Sequence, residues 1–418
     1  MTADRLTTDR RTTPAPPRRR GGFTLVELLV VIAIIGTLSA LVLVVGASAA
    51  ESGRTAKTKQ MITRLHTLVM EHYDTFRDKR VSLDESTVDG DGTYVDEIVS
   101  TGVSLAGRRP GEVVALGRLL GSREQMKMEM PERWSDFLVA DLSGGLPDPT
   151  PVPSDSDGEL GGPTYLLSIP PLAQAYRARY EQVWDQTNTE TGAPNTVADL
   201  VANEGAECLY MIVVLATGTG ESRGLFKESD IGDVDGDGAP EFIDAWGNPI
   251  QFLRWAPGFR SGLQLNQVDL VQVFEDGEAE APAAGAERVA EAIRADHDPM
   301  DLFRVDGFTA DSVRTFTQGN GVVKRLLYDD ASPQQPARGF RLVPLIYSAG
   351  RDGDSDIDTG RLVDAVGTSV DPYLVFEADI NGNTVDGRQV GSPINDDGAD
   401  ESQDNLTNHL IEYERGLR

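Results

Sequence analysis

Asp233-Val-Asp235-Gly-Asp237-Gly238-Ala-Pro-Glu241-Phe-Ile-Asp244 sets carboxylates at positions 1, 3 and 5, a glycine at 6 and an acid at 12. This is the spacing of an EF-hand loop, with Asp244 where glutamate is usual. Hard oxygens at alternate positions suit Ca2+, and Gly238 permits the sharp turn that makes them converge. The plainer alternative is an acidic turn without metal. Pro240 departs from the usual pattern, and the flanks lack the periodicity of two EF-hand helices. A different carboxylate, Glu27, stands alone: it is the one charge in the 23-residue run from Phe23 to Val45. As a helix that run is about 35 Å long, enough to cross a bilayer core. A carboxylate there costs a few kcal/mol and marks a function or a partner.

Composition narrows the classes. The chain has 418 residues, 38 Lys+Arg against 67 Asp+Glu, and a net charge of −29. With a pI near 4.4 it lacks the basic footprint that nucleic acid requires. One cysteine, Cys208, allows no internal disulfide and no Cys-based zinc site, and only His66, His72, His297 and His409 remain as imidazoles. No nucleophile elbow, HExxH or phosphate loop is present, so a non-enzymatic protein is expected. Charge is divided unevenly: residues 1–22 hold six Arg against two Asp, a net of +4, which leaves −33 on the rest. A basic head before an apolar run holds the N-terminus in the cytoplasm and sends the acidic bulk outward. Ala47-Ser48-Ala49 would suit a signal cleavage site, but it follows an apolar stretch longer than the usual 7–15 residues.

Arg20-Gly21-Gly22-Phe23-Thr24-Leu25-Val26-Glu27 and the run behind it closely resemble the leader junction of type IV prepilins and type II secretion pseudopilins. The resemblance implies a prepilin peptidase cut between Gly22 and Phe23 and N-methylation of the new Phe23 amine. It also implies that the Phe23 ammonium pairs with Glu27 of an adjacent subunit, setting register. In low dielectric such a pair is strong once formed, and an unpaired Glu27 is costly.

Two further segments resemble major pseudopilins. Asp244-Ala-Trp246-Gly247-Asn248-Pro249 is similar to the Asp-x-Trp-Gly-Asn-Pro segment that opens their C-terminal sheet, and Ser348-Ala-Gly350-Arg-Asp352-Gly353 to their Ser-x-Gly-x-Asp-Gly turn. A C-terminal loop of that kind binds calcium in the family, which implies Asp352, Asp354, Asp356 and Asp358 as a second set. This chain departs by inserting roughly 90 residues between the motifs and by an acidic region, 350–404, with 14 Asp+Glu against three Arg.

These residues need elements to position them. Ile62, Leu65, Leu68, Val69, Tyr73 and Phe76 recur at three- and four-residue intervals, which predicts an amphipathic helix over 54–80 continuing the apolar run. Helical spacing also covers Gly111 to Met130, Pro171 to Gln186 and Thr196 to Thr217, the last with Cys208 on its apolar side. Residues 84–108 and Leu146 to Pro153 read as loops, Glu278 to Glu287 as low complexity, and Asp379-Ile-Asn381-Gly-Asn383 as a solvated acidic loop.

The expected fold is α+β and pilin-like, a long N-terminal helix on a small antiparallel sheet with inserted helices and loops. The expected division is a cleaved leader (1–22), an N-terminal helix (23–80, with 23–45 transmembrane and 54–80 amphipathic) and a globular domain (81–418). The resemblance implies a pseudopilin filament subunit in the inner membrane with its C-terminal domain periplasmic. Its partners would be its own copies, other pseudopilins, prepilin peptidase, an inner-membrane secretion platform and lipid. The alternative is a minor pilin or filament-tip adhesin with an acidic, calcium-binding domain.

Overall fold

Thr24 opens α1 (Leu25–Thr75), a helix of 51 residues that runs without interruption through Gly36, Gly46 and Gly53. The computed structural model describes residues 24–82, 110–137, 166, 168–216, 222–266, 269–270, 273, 284–306, 314–318, 321–325, 338–359, 372–373, 389–394 and 405–416. Gly22 and Phe23, the loop expected over 84–108, the Leu146–Pro153 segment and Asp379 to Asn383 lie outside the described residues. The chain divides into two units, 1–53 and 54–418.

In the first unit the large apolar side chains from Leu25 to Val45 are exposed in the isolated chain. A fully exposed apolar helix of this length is stable only when lipid or neighbouring protein covers it. By length and composition it can cross a membrane.

In the second unit the expected stripe is the centre of the core. Ile62, Leu65, Val69, Tyr73 and Phe76 are buried, and each buried large apolar side chain contributes roughly 1.5–3 kcal/mol. The remaining helices are α2 (Pro110–Glu129), α3 (Pro171–Trp184), α4 (Val197–Ala202), α5 (Glu204–Met211), α6 (Ala284–Ala295) and α7 (Asn408–Gly416). The strands are β1 (Ile231–Gly232), β2 (Glu241–Phe242), β3 (Gln251–Leu253), β4 (Arg314–Gln318), β5 (Gly321–Arg325), β6 (Leu345–Ser348) and β7 (Leu406–Thr407). All pairing is antiparallel: β1 with β2, β4 with β5, and β3–β6–β7 as a three-stranded sheet with Phe252 opposite Ile346 and Ser348 opposite Leu406.

The helical stripe packs with Leu209 and Ile212 near α5, Phe242 of β2, Phe252 of β3, Ile346 of β6 and Leu406 of β7. The Tyr73 hydroxyl donates to the Leu342 carbonyl at 3.1 Å. The architecture is α+β, a long N-terminal helix with small antiparallel sheets, as expected of a pilin-like chain.

Two departures have local causes. The helix expected over 196–217 is broken at Asn203 (φ −122°, ψ 23°), giving α4 and α5, and its last residues, 212–216, widen into a π-type turn. The low-complexity stretch ends at Ala284, where α6 begins.

Buried charges tie the outer helices to the sheet. Arg254, just after β3, donates to the Met130 carbonyl and to Asp136, both at 2.9 Å. Burial alone would raise Asp136, but Arg254, Lys127 and Arg133 offset this and hold its carboxyl below the usual range. Helix α7 is docked by Asn408, which accepts from Ile346 N–H and donates to the Pro344 carbonyl, each at 2.8 Å.

Candidate functional site

The acidic loop joins β1 to β2. Ile231 pairs with Phe242 and Gly232 with Glu241, so strand pairing closes the loop at its ninth position, with Glu241 already in β2. Gly236 (φ +75°) and Gly238 (φ +93°) are left-handed, as the tight course requires. A Cβ at Gly236 would lie 2.6 Å from Thr189 Oγ1, and one at Gly238 would lie 2.3 Å from Gln186 Oε1. The segment after α3 holds the loop backbone in place. Asn188 and Asn195 side-chain amides donate to the carbonyls of Asp235 (3.0 Å) and Asp237 (2.7 Å), and Thr189 N–H donates to that of Gly236 (2.7 Å).

Asp233, Asp235 and Asp237 converge, each with a carboxylate oxygen within 4.8 Å of the others, and so do Glu207, Asp235 and Glu241. Asp235 belongs to both groups. Glu207 comes from α5, which lies so close to β3 that a Cβ on Gly205 would be 3.1 Å from the Phe252 carbonyl oxygen. Glu207, Asp237 and Glu241 are 1%, 0% and 0% exposed. Some oxygens have donors: Ala239 N–H reaches Asp237 Oδ1 (2.6 Å), Val234 N–H reaches Glu241 Oε2 (3.2 Å), and Asn203 Nδ2 reaches Asp235 Oδ2 (3.0 Å). Four buried oxygens have no partner among the described residues: both of Glu207, Asp235 Oδ1 and Asp237 Oδ2. The neighbouring Trp134 indole donates to the Leu200 carbonyl (2.9 Å).

Burial and mutual repulsion act in one direction. Burial raises Glu207 well above the carboxylate range, and Asp237, Asp235 and Glu241 add to the effect. Burial, with Asp235 beside it, pushes Asp237 up to about 7 and Glu241 up to about 8; burial also raises Asp235. Two unit charges at 4.8 Å repel by about 3.5 kcal/mol at an effective dielectric of 20, so several such charges together require a counter-ion or protons. The donor set is all oxygen, which fits a hard divalent ion and not zinc or copper.

Asp244, the loop's twelfth position, is not brought to this group. Its Oδ1 accepts from the N–H groups of Trp246 (2.8 Å), Gly247 (2.8 Å) and Asn248 (2.9 Å), and its Oδ2 from Ser348 Oγ (2.7 Å). Asn248 Nδ2 donates to the Gly350 carbonyl at 2.7 Å. Asp244 therefore builds its own turn and fastens it to the end of β6, because pairing of β1 with β2 ends the loop at Glu241. Asp352, Asp354, Asp356 and Asp358 do not meet in a cluster among the described residues. Glu207 carried one sequence signal, a carboxylate four residues before buried Met211 on a short, largely buried helix.

At the other end of the chain, Thr24 N–H and Oγ1 both donate to Glu27 Oε2 at 2.8 Å, and Glu27 N–H donates back to Thr24 Oγ1 at 3.2 Å. This is a capping box, Thr-x-x-Glu at the start of α1. It gives the Glu27 carboxylate a partner inside one chain, besides the Phe23 ammonium of an adjacent subunit that the resemblance implies. Residues 17–43 match the prokaryotic N-terminal methylation motif. This end of the chain is type IV prepilin-like. The prepilin-type motif implies processing by prepilin peptidase and assembly with other pilins, and it points to a structural subunit. The apolar helix behind it fits a single-pass anchor. No curated protein and no solved structure matches the chain.

Proposed function

We propose that this protein is a structural subunit of a type II secretion-type pseudopilus. The precursor is cut between Gly22 and Phe23, methylated at Phe23, and held in the inner membrane by residues 23–45 with its C-terminal domain in the periplasm. It then assembles with its own copies and other pseudopilins on an inner-membrane secretion platform. The observation that carries this reading is the methylation motif at the head of a helix whose described apolar side chains are exposed from Leu25 to Leu43 and whose apolar stripe from Met61 to Tyr73 is buried. The pseudopilin branch is supported by the two segments that resemble that family. They lie about 100 residues apart in sequence and are joined by the Asp244–Ser348 and Asn248–Gly350 hydrogen bonds.

A second reading, a scarce minor or tip subunit, is favoured by bulk, since the unit after Gly53 runs from Arg54 to Arg418. Copy number per filament separates the two. Intact mass and N-terminal sequencing of protein from its native membrane test both. A chain starting at N-methyl-Phe23 is expected; a Met1 start, or a start after Ala49, overturns the filament reading.

A further inference from the structure

The carboxylates at the β1–β2 loop lie outside the N-terminal methylation motif, and their geometry has its own requirement. Glu207 is 1% exposed with both oxygens unpartnered, and Asp237 Oδ2 and Asp235 Oδ1 are buried beside it without donors. The ligand atoms of each group lie close enough together to share one ion, and all are carboxylate oxygens, the hard donors that Ca2+ takes at about 2.3–2.6 Å. Mg2+ draws its ligands to about 2.1 Å and keeps most of its waters, which a site of five carboxylates behind a closed loop does not provide.

We infer that Glu207, Asp233, Asp235, Asp237 and Glu241 bind one Ca2+ that clamps α5 to the β1–β2 loop. The site does not depend on the filament reading; it takes Glu241 at the ninth loop position and replaces Asp244 with Glu207, which EF-hand spacing does not mark. The cation satisfies the four orphan oxygens and offsets part of the repulsion among the five acids. It also joins three parts of the second unit: α5, the loop, and the 186–196 segment whose amides hold the loop carbonyls.

The test uses the full chain in detergent, stripped with EGTA and titrated with Ca2+ or Mg2+ by calorimetry and thermal melting. Ca2+ is expected to bind and to raise the melting temperature progressively with its concentration, with Mg2+ at least tenfold weaker. Glu207→Gln and Asp237→Asn are each expected to weaken Ca2+ binding at least tenfold. Glu207→Gln should at the same time melt no lower than wild type in EGTA, because it removes a buried charge. Asp244→Asn should lower melting yet leave Ca2+ affinity unchanged. Wild-type affinity in both Glu207→Gln and Asp237→Asn, equal binding of Mg2+, or no calcium response in the wild-type chain overturns the inference. N-terminal processing is read on the same samples by mass, so failure here is distinguishable from failure of the filament reading.

Discussion

Glu27 and Glu207 are both acids set in apolar stretches of helix, and the two helices treat them in opposite ways. Glu27 sits in the first turn of α1 and is satisfied by Thr24, three residues away. Glu207 sits in the first turn of α5, four residues past the N-cap Asn203, with neither oxygen satisfied, and the groups that meet it lie on β2 and its preceding loop. A carboxylate near a helix N-terminus has free backbone N–H groups and a favourable dipole within reach. Glu27 is three residues past its cap, the position from which a capping box closes, whereas Glu207 is four past Asn203 and is turned away from the cap towards the β1–β2 loop. A one-residue offset from the N-cap thus separates a local partner from a distant one.

The comparison is sharpest when both acids are made neutral. Glu27→Gln is expected to abolish assembly into filaments while leaving the melting of the soluble unit unchanged; Glu207→Gln should do the reverse, sparing assembly and removing the calcium-dependent rise in melting temperature. Electron microscopy of sheared filaments and parallel melting curves check the pair, and a variant that fails both assays would break the division between local and distant satisfaction.

The next effect concerns Arg254, a buried charge whose partners all lie on another segment. Arg254→Met removes the strongest of the charges that compensate Asp136, leaving Lys127 and Arg133, and is expected to destabilise the second unit by about 3 kcal/mol in urea unfolding.

A smaller effect comes from pH. His409 is buried against Ser261 Oγ (2.9 Å) and the Val343 carbonyl (3.1 Å), and burial lowers its pKa from 6.5 to about 4. Because the folded pKa is depressed, this stabilisation is full above pH 6.5 and is lost as pH falls towards 4, amounting to about 3 kcal/mol. The acidic loop carboxylates have raised pKa values and act in the opposite sense. The difference between wild type and His409→Gln across pH 4–6.5 therefore isolates the histidine.

The smallest expected effect is Thr24→Ala. Loss of the cap costs about 1 kcal/mol, read as roughly fivefold faster amide exchange over the first turn of α1.

The legible parts of the molecule were those with short-range rules. The junction around Gly22 to Glu27 is a contiguous motif, and the stripe from Ile62 to Phe76 is periodic, so both could be read along the chain. Asp233, Asp235 and Asp237 were legible for the same reason and do converge. Counting on to Asp244 misses the geometry because the pairing of Gly232 with Glu241 ends the loop earlier, and pairing is a property of two strands. Glu207 lies 26 residues before Asp233 in the sequence, and only the packing of Gly205 on β3 brings it there. The Asn203 break in the expected helix likewise has no strong breaker such as proline to announce it.

The buried stripe of α1 also has a mechanical meaning. Between Thr58, whose hydroxyl accepts from Ala245 N–H, and Phe76, the helix meets the rest of the second unit at many points in succession. A tensile load along α1 is therefore shared among these contacts instead of falling on one joint. To slip, the helix must shear the whole stripe at once, so a subunit tugged by its N-terminal end yields as one body.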